Sequence, residues 1–101
     1  MTRPIKFRGR DMTGHFVYGL LTKKRIRSSG EVVFAIALSE KQSENIPVNE
    51  NSIAQLVGFD RDGREVYEGD ILLDELEQEY TAEIYDRPEK IHALKLKEAQ
   101  P

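Results

Sequence analysis

The sequence predicts an all-β protein, a small antiparallel barrel that is SH3-like in part, with at most one or two short helices. Three observations support this fold class. Short segments alternate apolar and polar side chains, as half-buried strands do. A turn signal separates most of these segments at intervals of roughly ten residues, which is typical of barrels and sandwiches and predicts about six or seven strands. The apolar residues are mainly Ile, Leu and Val, with Phe and Tyr but no Trp.

The N-terminal part of the chain predicts a β-hairpin. Residues 5–8 alternate apolar side chains with cations, and residues 15–21 return as a second strand. Between them, residues 11–14 read Asp-Met-Thr-Gly, a turn in which Asp caps its own backbone and Gly accepts a positive φ. The aromatic side chains Phe16 and Tyr18 are expected in the core of this hairpin.

The middle of the chain predicts a central strand. Residues 31–38, Glu-Val-Val-Phe-Ala-Ile-Ala-Leu, are the most apolar stretch and suit a strand buried on both faces. A helix is the alternative, but the short length and the flanking Gly and Ser favour a strand. Residues 39–45 are polar and predict a loop, and residues 46–48 are extended because a proline restricts its predecessor. Residues 49–52 predict a turn or a single helical turn.

The second half of the chain contains its strongest turn signal. Residues 60–64 place Asp-Gly between alternating apolar segments, which predicts a hairpin. Residues 91–96 form a last short element of uncertain type, and a short helix is expected either near residues 49–54 or at the C-terminus. Further strand segments are expected over 52–59, 65–73 and 80–85.

Composition restricts the protein class. The length of 101 residues suits one domain, which we place at residues 1–96 with a frayed tail over 97–101. The chain has no Cys, which excludes disulfides, thiolate nucleophiles and Cys-based zinc sites. No apolar run approaches the ~20 residues of a membrane span, and the N-terminus lacks the apolar stretch of a signal peptide. We therefore expect a cytoplasmic protein with no membrane partner.

Catalytic patterns are absent from the sequence. His15 and His92 are the only histidines, and neither has a recognisable nucleophile and carboxylate around it. Glu68 and Asp70 could form a carboxylate pair on one strand face, but a structural role for them is the stronger interpretation. No Gly-rich phosphate loop and no zinc spacing occurs. The prediction is a protein that is not an enzyme and has no cofactor and no metal.

Charge is distributed unevenly along the chain. Residues 1–27 carry eight cationic side chains and one carboxylate, although the whole chain has a net charge of −3. Three interpretations remain open: the basic hairpin pairs with the acidic remainder within or between subunits, it binds nucleic acid through interleaved aromatics, or it forms an oligomeric pocket for a nucleotide-like anion. The predicted basic surface consists of Arg8, Arg10, Lys23, Lys24, Arg25 and Arg27.

Three segments together resemble the YopX family of bacteriophage and prophage proteins. They are residues 5–8 followed by Tyr18-Gly19, residues 51–59, and residues 62–71 (Asp-Gly-Arg-Glu-Val-Tyr-Glu-Gly-Asp-Ile). The third segment resembles the family signature almost position for position, whereas the second departs from it at Ala54 and Val57. The signature residues, for which we predict structural roles, are Gly63, Tyr67, Glu68, Gly69 and Asp70.

The resemblance implies a mainly β fold, a phage or prophage origin and self-association, but no activity. We therefore expect a non-enzymatic accessory protein that acts by binding, as a homo-oligomer or with a host or phage protein. Binding of nucleic acid through the basic hairpin is the first alternative. Capture of a small nucleotide-like anion in an oligomeric pocket is the second.

Overall fold

The computed structural model describes residues 5–38 and 45–97. Within them the protein is mainly β, which confirms the predicted fold class. The chain divides into two compact units, residues 5–54 and, as far as they are described, residues 55–97. We call them the N-terminal unit and the C-terminal unit. The single domain over residues 1–96 stays a prediction, and most of the predicted tail lies outside the described residues.

The N-terminal unit is built from antiparallel strands that pair in the order β4-β3-β2-β1. The predicted N-terminal hairpin is confirmed, and the apolar segment over 31–38 supplies a central strand between two neighbours. Of the predicted loop over 39–45, residues 39–44 lie outside the described residues and Asn45 begins a strand. The elements are β1 (Phe7–Arg10), β2 (Phe16–Arg25), β3 (Val32–Ala37), β4 (Asn45–Pro47) and a single 3-10 turn, Glu50–Ser52.

Strand β2 is ten residues long and changes partner at Gly19. Residues 16–19 pair with β1, and residues 20–25 pair with β3. A Cβ atom at Gly19 would collide with the backbone oxygen of Ala37. Glycine is therefore required where the strand leaves one neighbour and meets the next.

The C-terminal unit combines a hairpin, a small sheet and one short helix. Strands β5 and β6 form the hairpin predicted at residues 60–64, and the sheet has the order β8-β7-β9. Its core consists of Val57, Val66, Leu72, Ala82 and Ile91, all fully or almost fully buried. The elements are β5 (Ala54–Phe59), β6 (Glu65–Tyr67), β7 (Ile71–Leu73), β8 (Glu79–Thr81), α1 (Pro88–His92) and β9 (Lys95–Leu96).

Three hairpins use the same five-residue turn, over residues 11–15, 60–64 and 74–78. In each, the first residue donates its N–H to the fifth carbonyl at 2.9, 2.9 and 3.1 Å respectively. In each, the Oδ1 atom of an initial Asp accepts the N–H groups of the third and fifth residues at 2.8–3.0 Å. This local bonding is the Asx-type capping that favours Asp at turn starts.

The fourth position of this turn has a positive φ in all three copies. Gly14 and Gly63 occupy it with φ of 85° and 82°, and Glu77 occupies it with φ of 60°. Gly adopts this conformation without steric cost, whereas a residue with a Cβ does not. The turn at 74–78 has Glu77 instead of Gly at this fourth position. The sequence signal that predicts the first two turns therefore does not detect the third.

Three details of the predicted fold are wrong. The described residues form nine strands rather than about six or seven, because the segment over 65–73 divides into β6 and β7 and residues 95–96 add β9. The described strands form open sheets and no closed barrel. The strand expected over 80–85 ends at Thr81, because residues 83–86 turn back through a hydrogen bond from the Glu83 N–H to Asp86 Oδ2 at 2.8 Å.

The expected burial of Tyr18 is also wrong, because the hairpin register places it elsewhere. Phe16 lies opposite Arg10, and Tyr18 lies opposite Arg8. Directly opposed residues of an antiparallel pair share a face. Both aromatics therefore lie on the face of the arginines, with Phe16 half-buried and Tyr18 42% exposed.

Candidate binding surface

Cations and aromatic rings interleave on one face of the β1–β2 hairpin. We call Arg8, Arg10, Phe16 and Tyr18 the Arg–Phe face. The guanidinium carbons of Arg8 and Arg10 lie 4.6 and 4.0 Å from the centroid of the Phe16 ring. The Phe16 and Tyr18 rings are 6.3 Å apart, centre to centre, and Lys6 Nζ lies 6.0 Å from the Tyr18 ring. The register therefore assembles a surface of stacked cations and aromatics.

This stacking positions the cations and also occupies the Phe16 ring. Arg10 additionally donates from Nη1 to the Gly14 carbonyl at 2.7 Å, which holds its guanidinium in place. A guanidinium carries five N–H donors, so a stacked arginine retains donors for an anion. Phe16 already carries two cations, and Tyr18 is the more exposed of the two rings.

The remaining predicted basic residues do not join this face as one surface. Neighbouring residues of a strand point to opposite sides, so Lys23 and Arg25 project from one side of β2 and Lys24 from the other. Lys23 Nζ lies 5.5 Å from the Phe34 ring, and Arg25 donates to the Gly30 carbonyl at 3.2 Å. Arg27 is exposed in the turn that follows β2. We call Lys23, Lys24 and Arg25 the basic end of β2.

Four of the five signature residues, 67–70, form a turn of a second type between β6 and β7. Tyr67 is buried, and its N–H donates to Asp70 Oδ2 at 2.8 Å. Gly69 has a φ of 92°, and its N–H donates to the Ala82 carbonyl at 2.8 Å. Glu68 is exposed, and its backbone N–H bonds to Gln55. These bonds join the turn to β5 and to the end of β8, so the local geometry serves the packing of the C-terminal unit.

Asp60 is a buried carboxylate that the sequence analysis did not single out. Its side chain is 0% exposed and accepts four hydrogen bonds. Oδ1 accepts two backbone N–H groups of the turn at 60–64, and Oδ2 accepts the other two bonds. The Oδ2 donors are Arg64 Nε at 3.1 Å and the Leu96 N–H at 3.0 Å. Burial alone would raise the pKa of Asp60, but the backbone donors, led by Leu96, and the Arg64 charge hold this pKa below its ordinary value.

A second carboxylate, Asp86, organises the region around the helix. It accepts the Tyr80 hydroxyl at 2.6 Å, and Lys90 Nζ lies 3.5 Å from it. Lys90 Nζ also lies 3.8 Å from the Tyr80 ring centroid. Burial would raise the pKa of Asp86, but the hydrogen bond from Tyr80 and the Lys90 charge lower it overall. The interaction with Tyr80, more than the Asp86 charge, raises the pKa of Lys90.

The turn at 11–15 brings a histidine and a hydroxyl into contact. Thr13 Oγ1 lies 2.7 Å from Asp11 Oδ1 and 2.6 Å from His15 Nδ1. The hydrogen bond from Thr13 is the main cause that lowers the pKa of Asp11, so this carboxylate is ionised and accepts the hydrogen bond that the hydroxyl donates. His15 then donates from Nδ1 to Thr13. This direction is opposite to the one in which a histidine base activates a nucleophile.

A groove lies in the C-terminal unit beside the turn at 74–78. It has a volume of about 610 Å³. Four carboxylates and three cations line it, so its charge does not favour an anion. The described part of the chain holds no cluster of His, Cys, Asp and Glu suited to a metal ion. The charged lining residues are Asp74, Glu75, Glu77, Glu79, Arg61, Lys95 and Lys97.

A family model described as YopX protein matches residues 6–100. No curated protein and no solved structure matches the chain. Within the part of the chain that the structure describes, no helix has the length and apolar character needed to cross a membrane.

Proposed function

The chain belongs to the YopX family, and from this premise we propose that it is a phage or prophage accessory protein that acts by binding. In this proposal the protein is a self-associating β module rather than an enzyme, and it acts in the cytoplasm of the host cell. It requires no cofactor. Its partners are further copies of itself, with a host or phage protein as a possible additional partner.

The observation that carries this proposal is the opposite charge of the two units. Residues 5–54 carry eight cationic and five anionic side chains, whereas residues 55–101 carry six and thirteen. Lys23, Lys24 and Arg25 are exposed, as are Glu77 and Glu79 in the other unit. Surfaces of opposite charge on one chain attract one another between copies and orient the encounter.

Light scattering coupled to size exclusion tests self-association directly. We expect a mass above the 11.6 kDa of one chain at ~0.1 M salt and a lower mass at ~1 M, because the screening length falls from about 10 to about 3 Å. Absorbance at two ultraviolet wavelengths, recorded on the same run, detects nucleic acid or nucleotide carried from the cell. A mass of one chain at every concentration and salt would overturn the proposal.

The Arg–Phe face favours a second candidate, binding of single-stranded nucleic acid. Arginine donors beside the exposed Tyr18 ring combine phosphate contact with base stacking. The chain's acidic sequence pI of about 5.4 opposes this candidate, since dedicated binders are usually basic.

Fluorescence anisotropy with a labelled oligonucleotide separates this candidate from self-association. If the face binds nucleic acid, the affinity decreases steeply with salt, and Tyr18→Ala weakens it roughly ten-fold or more, the value of one lost stacking contact. The matched control is Tyr85→Ala, which removes an exposed tyrosine of the C-terminal unit. Equal affinities of the two variants would exclude the Arg–Phe face as the site.

A further inference from the structure

The basic end of β2 lies on a strand edge that no other strand of the described residues covers. Residues 20–25 pair with β3 on one side, and β1 pairs only with residues 16–19 on the other. Among the strands of the described residues, none pairs with 20–25 on the side of β1. Unpaired backbone groups on such an edge are a template for a further strand. Lys23, Lys24 and Arg25 are exposed, so this part of β2 is strongly cationic. On the side of β3, Lys23 Nζ lies 5.5 Å from the Phe34 ring and Lys24 Nζ 3.5 Å from the Asn45 carbonyl, and a partner's carboxylates would draw both cations from these exposed contacts.

The C-terminal unit has an open edge of opposite charge. Strand β8 pairs with β7 on one side and is the outer strand of its sheet. Its solvent-facing residues include Glu79, and Glu77 precedes it in the turn at 74–78. Glu79 forms an ion pair with Lys97 at 2.8 Å, with both side chains about half exposed. An exposed pair of this kind contributes little and can be replaced by a partner's cation.

We propose that copies of this chain associate head to tail by strand pairing, with the open edge of β2 in one copy against the open edge of β8 in the next. The proposal rests on the self-association proposed above and names the surfaces that meet. Because two different edges are joined, each copy uses both, and the assembly grows as a ring or a chain of subunits. The partner is a second copy because each chain carries both complementary edges.

The charges select this pairing over the symmetric ones. A β2 edge against a second β2 edge would set lysines and arginines against each other, and a β8 edge against a second β8 edge would oppose carboxylates. Like charges placed directly across a strand pair are destabilising. An antiparallel alignment that sets Lys23 opposite Glu79 brings Arg25 towards Glu77, so that one register satisfies two charge pairs.

A charge swap between two variants tests the pairing. Variant A carries Lys23→Glu and Arg25→Glu, and variant B carries Glu77→Lys and Glu79→Lys. In each variant alone the two edges have the same charge, so we expect a loss of the wild-type assembly and a mass near one chain. In an equimolar mixture each edge again finds an edge of opposite charge, so we expect the mass to return towards the wild-type value.

The controls separate the effect of charge at the two strand edges from a loss of folding and from a change in the net charge of the chain. Arg87→Glu with Met12→Glu and Tyr85→Glu changes the net charge as variant A does, on exposed residues outside any strand and outside the groove beside β8, and is expected to assemble normally. Circular dichroism checks that each variant folds. If variant A does not fold, Lys23→Gln with Arg25→Gln removes the cations more mildly and is expected to lower the assembled mass.

Two outcomes contradict the proposals at different levels. A wild-type protein that is always a single chain overturns self-association itself. A wild-type assembly that variants A and B leave intact, or a mixture that does not reassemble, overturns only the pairing of the β2 and β8 edges. Recovery in the mixture supports both proposals.

Discussion

The turns at residues 11–15 and 60–64 have the same backbone and different surroundings. Both begin with Asp, place Gly at a positive φ and use the same capping bonds. Asp11 belongs to an exposed turn and bonds within it, with Thr13 as an added donor. Asp60 is buried and also bonds to Leu96, 36 residues away in the chain. The comparison shows that one sequence signal determines the turn, whereas tertiary bonds determine how much it contributes to stability.

The two turns also differ in what lies beside them. The turn at 60–64 leads directly into the signature segment and holds the C-terminal unit together through Asp60 and Arg64. The turn at 11–15 lies beside the Arg–Phe face, and Arg10 bonds to its Gly14 carbonyl. We infer that changes in the turn at 60–64 affect stability most. Changes near the turn at 11–15 alter the surface with little loss of stability.

The largest expected effect is that of Asp60→Asn. The variant keeps one acceptor oxygen but sets an amide N–H₂ against the donors of Arg64 and Leu96. Breaking a buried, charge-assisted arrangement of this kind costs about 3 kcal/mol. Urea denaturation measures the loss. Asp11→Asn, the same change in the matching exposed turn, is expected to leave the urea midpoint almost unchanged, and equal losses would contradict the comparison.

The pH dependence of stability sharpens the same contrast. The folded state holds the pKa of Asp60 below its reference value of 3.8, so its contribution is complete above that value. The contribution is lost as the pH falls through the lower pKa of the folded protein. The free energy difference between wild type and Asp60→Asn should therefore be constant from pH 7 to about 5 and shrink below about pH 4. A difference that does not change with pH would assign the loss to packing instead.

Gly63→Ala and Gly14→Ala compare the backbones of the two turns alone. A Cβ at either position meets nothing within 4 Å, so only the positive φ opposes the substitution. The cost of placing a Cβ residue in this conformation is about 1 kcal/mol, offset in part by the lower entropy of the unfolded chain. We expect similar decreases in the urea midpoint for both variants. A much larger loss at Gly63 would show that the turn held by the buried Asp60 cannot relax as the turn at 11–15 can.

The same residues show what can be predicted from this sequence. Asp followed by Gly at the fourth position predicts two of the three turns, because Gly alone adopts the positive φ freely. The third turn has Glu77 there, so only its Asp74 cap remains as a signal. The burial of Asp60 depends on β9, and no local pattern reports a partner so far along the chain. Strand alternation alone predicts that the cations of β2 project from both sides of the strand. Which face of the hairpin carries Phe16 and Tyr18 depends on the register between β1 and β2.

The smallest effect, and the only stabilising one, is expected for Glu77→Gly. The substitution relieves the positive φ of Glu77 but gives the unfolded chain more freedom, which leaves a net gain of about 0.5–1 kcal/mol. Glu77→Gln removes the charge but keeps the Cβ, and Glu75→Gly adds freedom where no positive φ is relieved, so neither control should stabilise. A gain for Glu77→Gly alone, measured by urea denaturation, would show that the third turn keeps a strained residue. Since Glu77 lies beside the acidic edge of β8, that strain would accompany a charge of the surface that we propose for assembly.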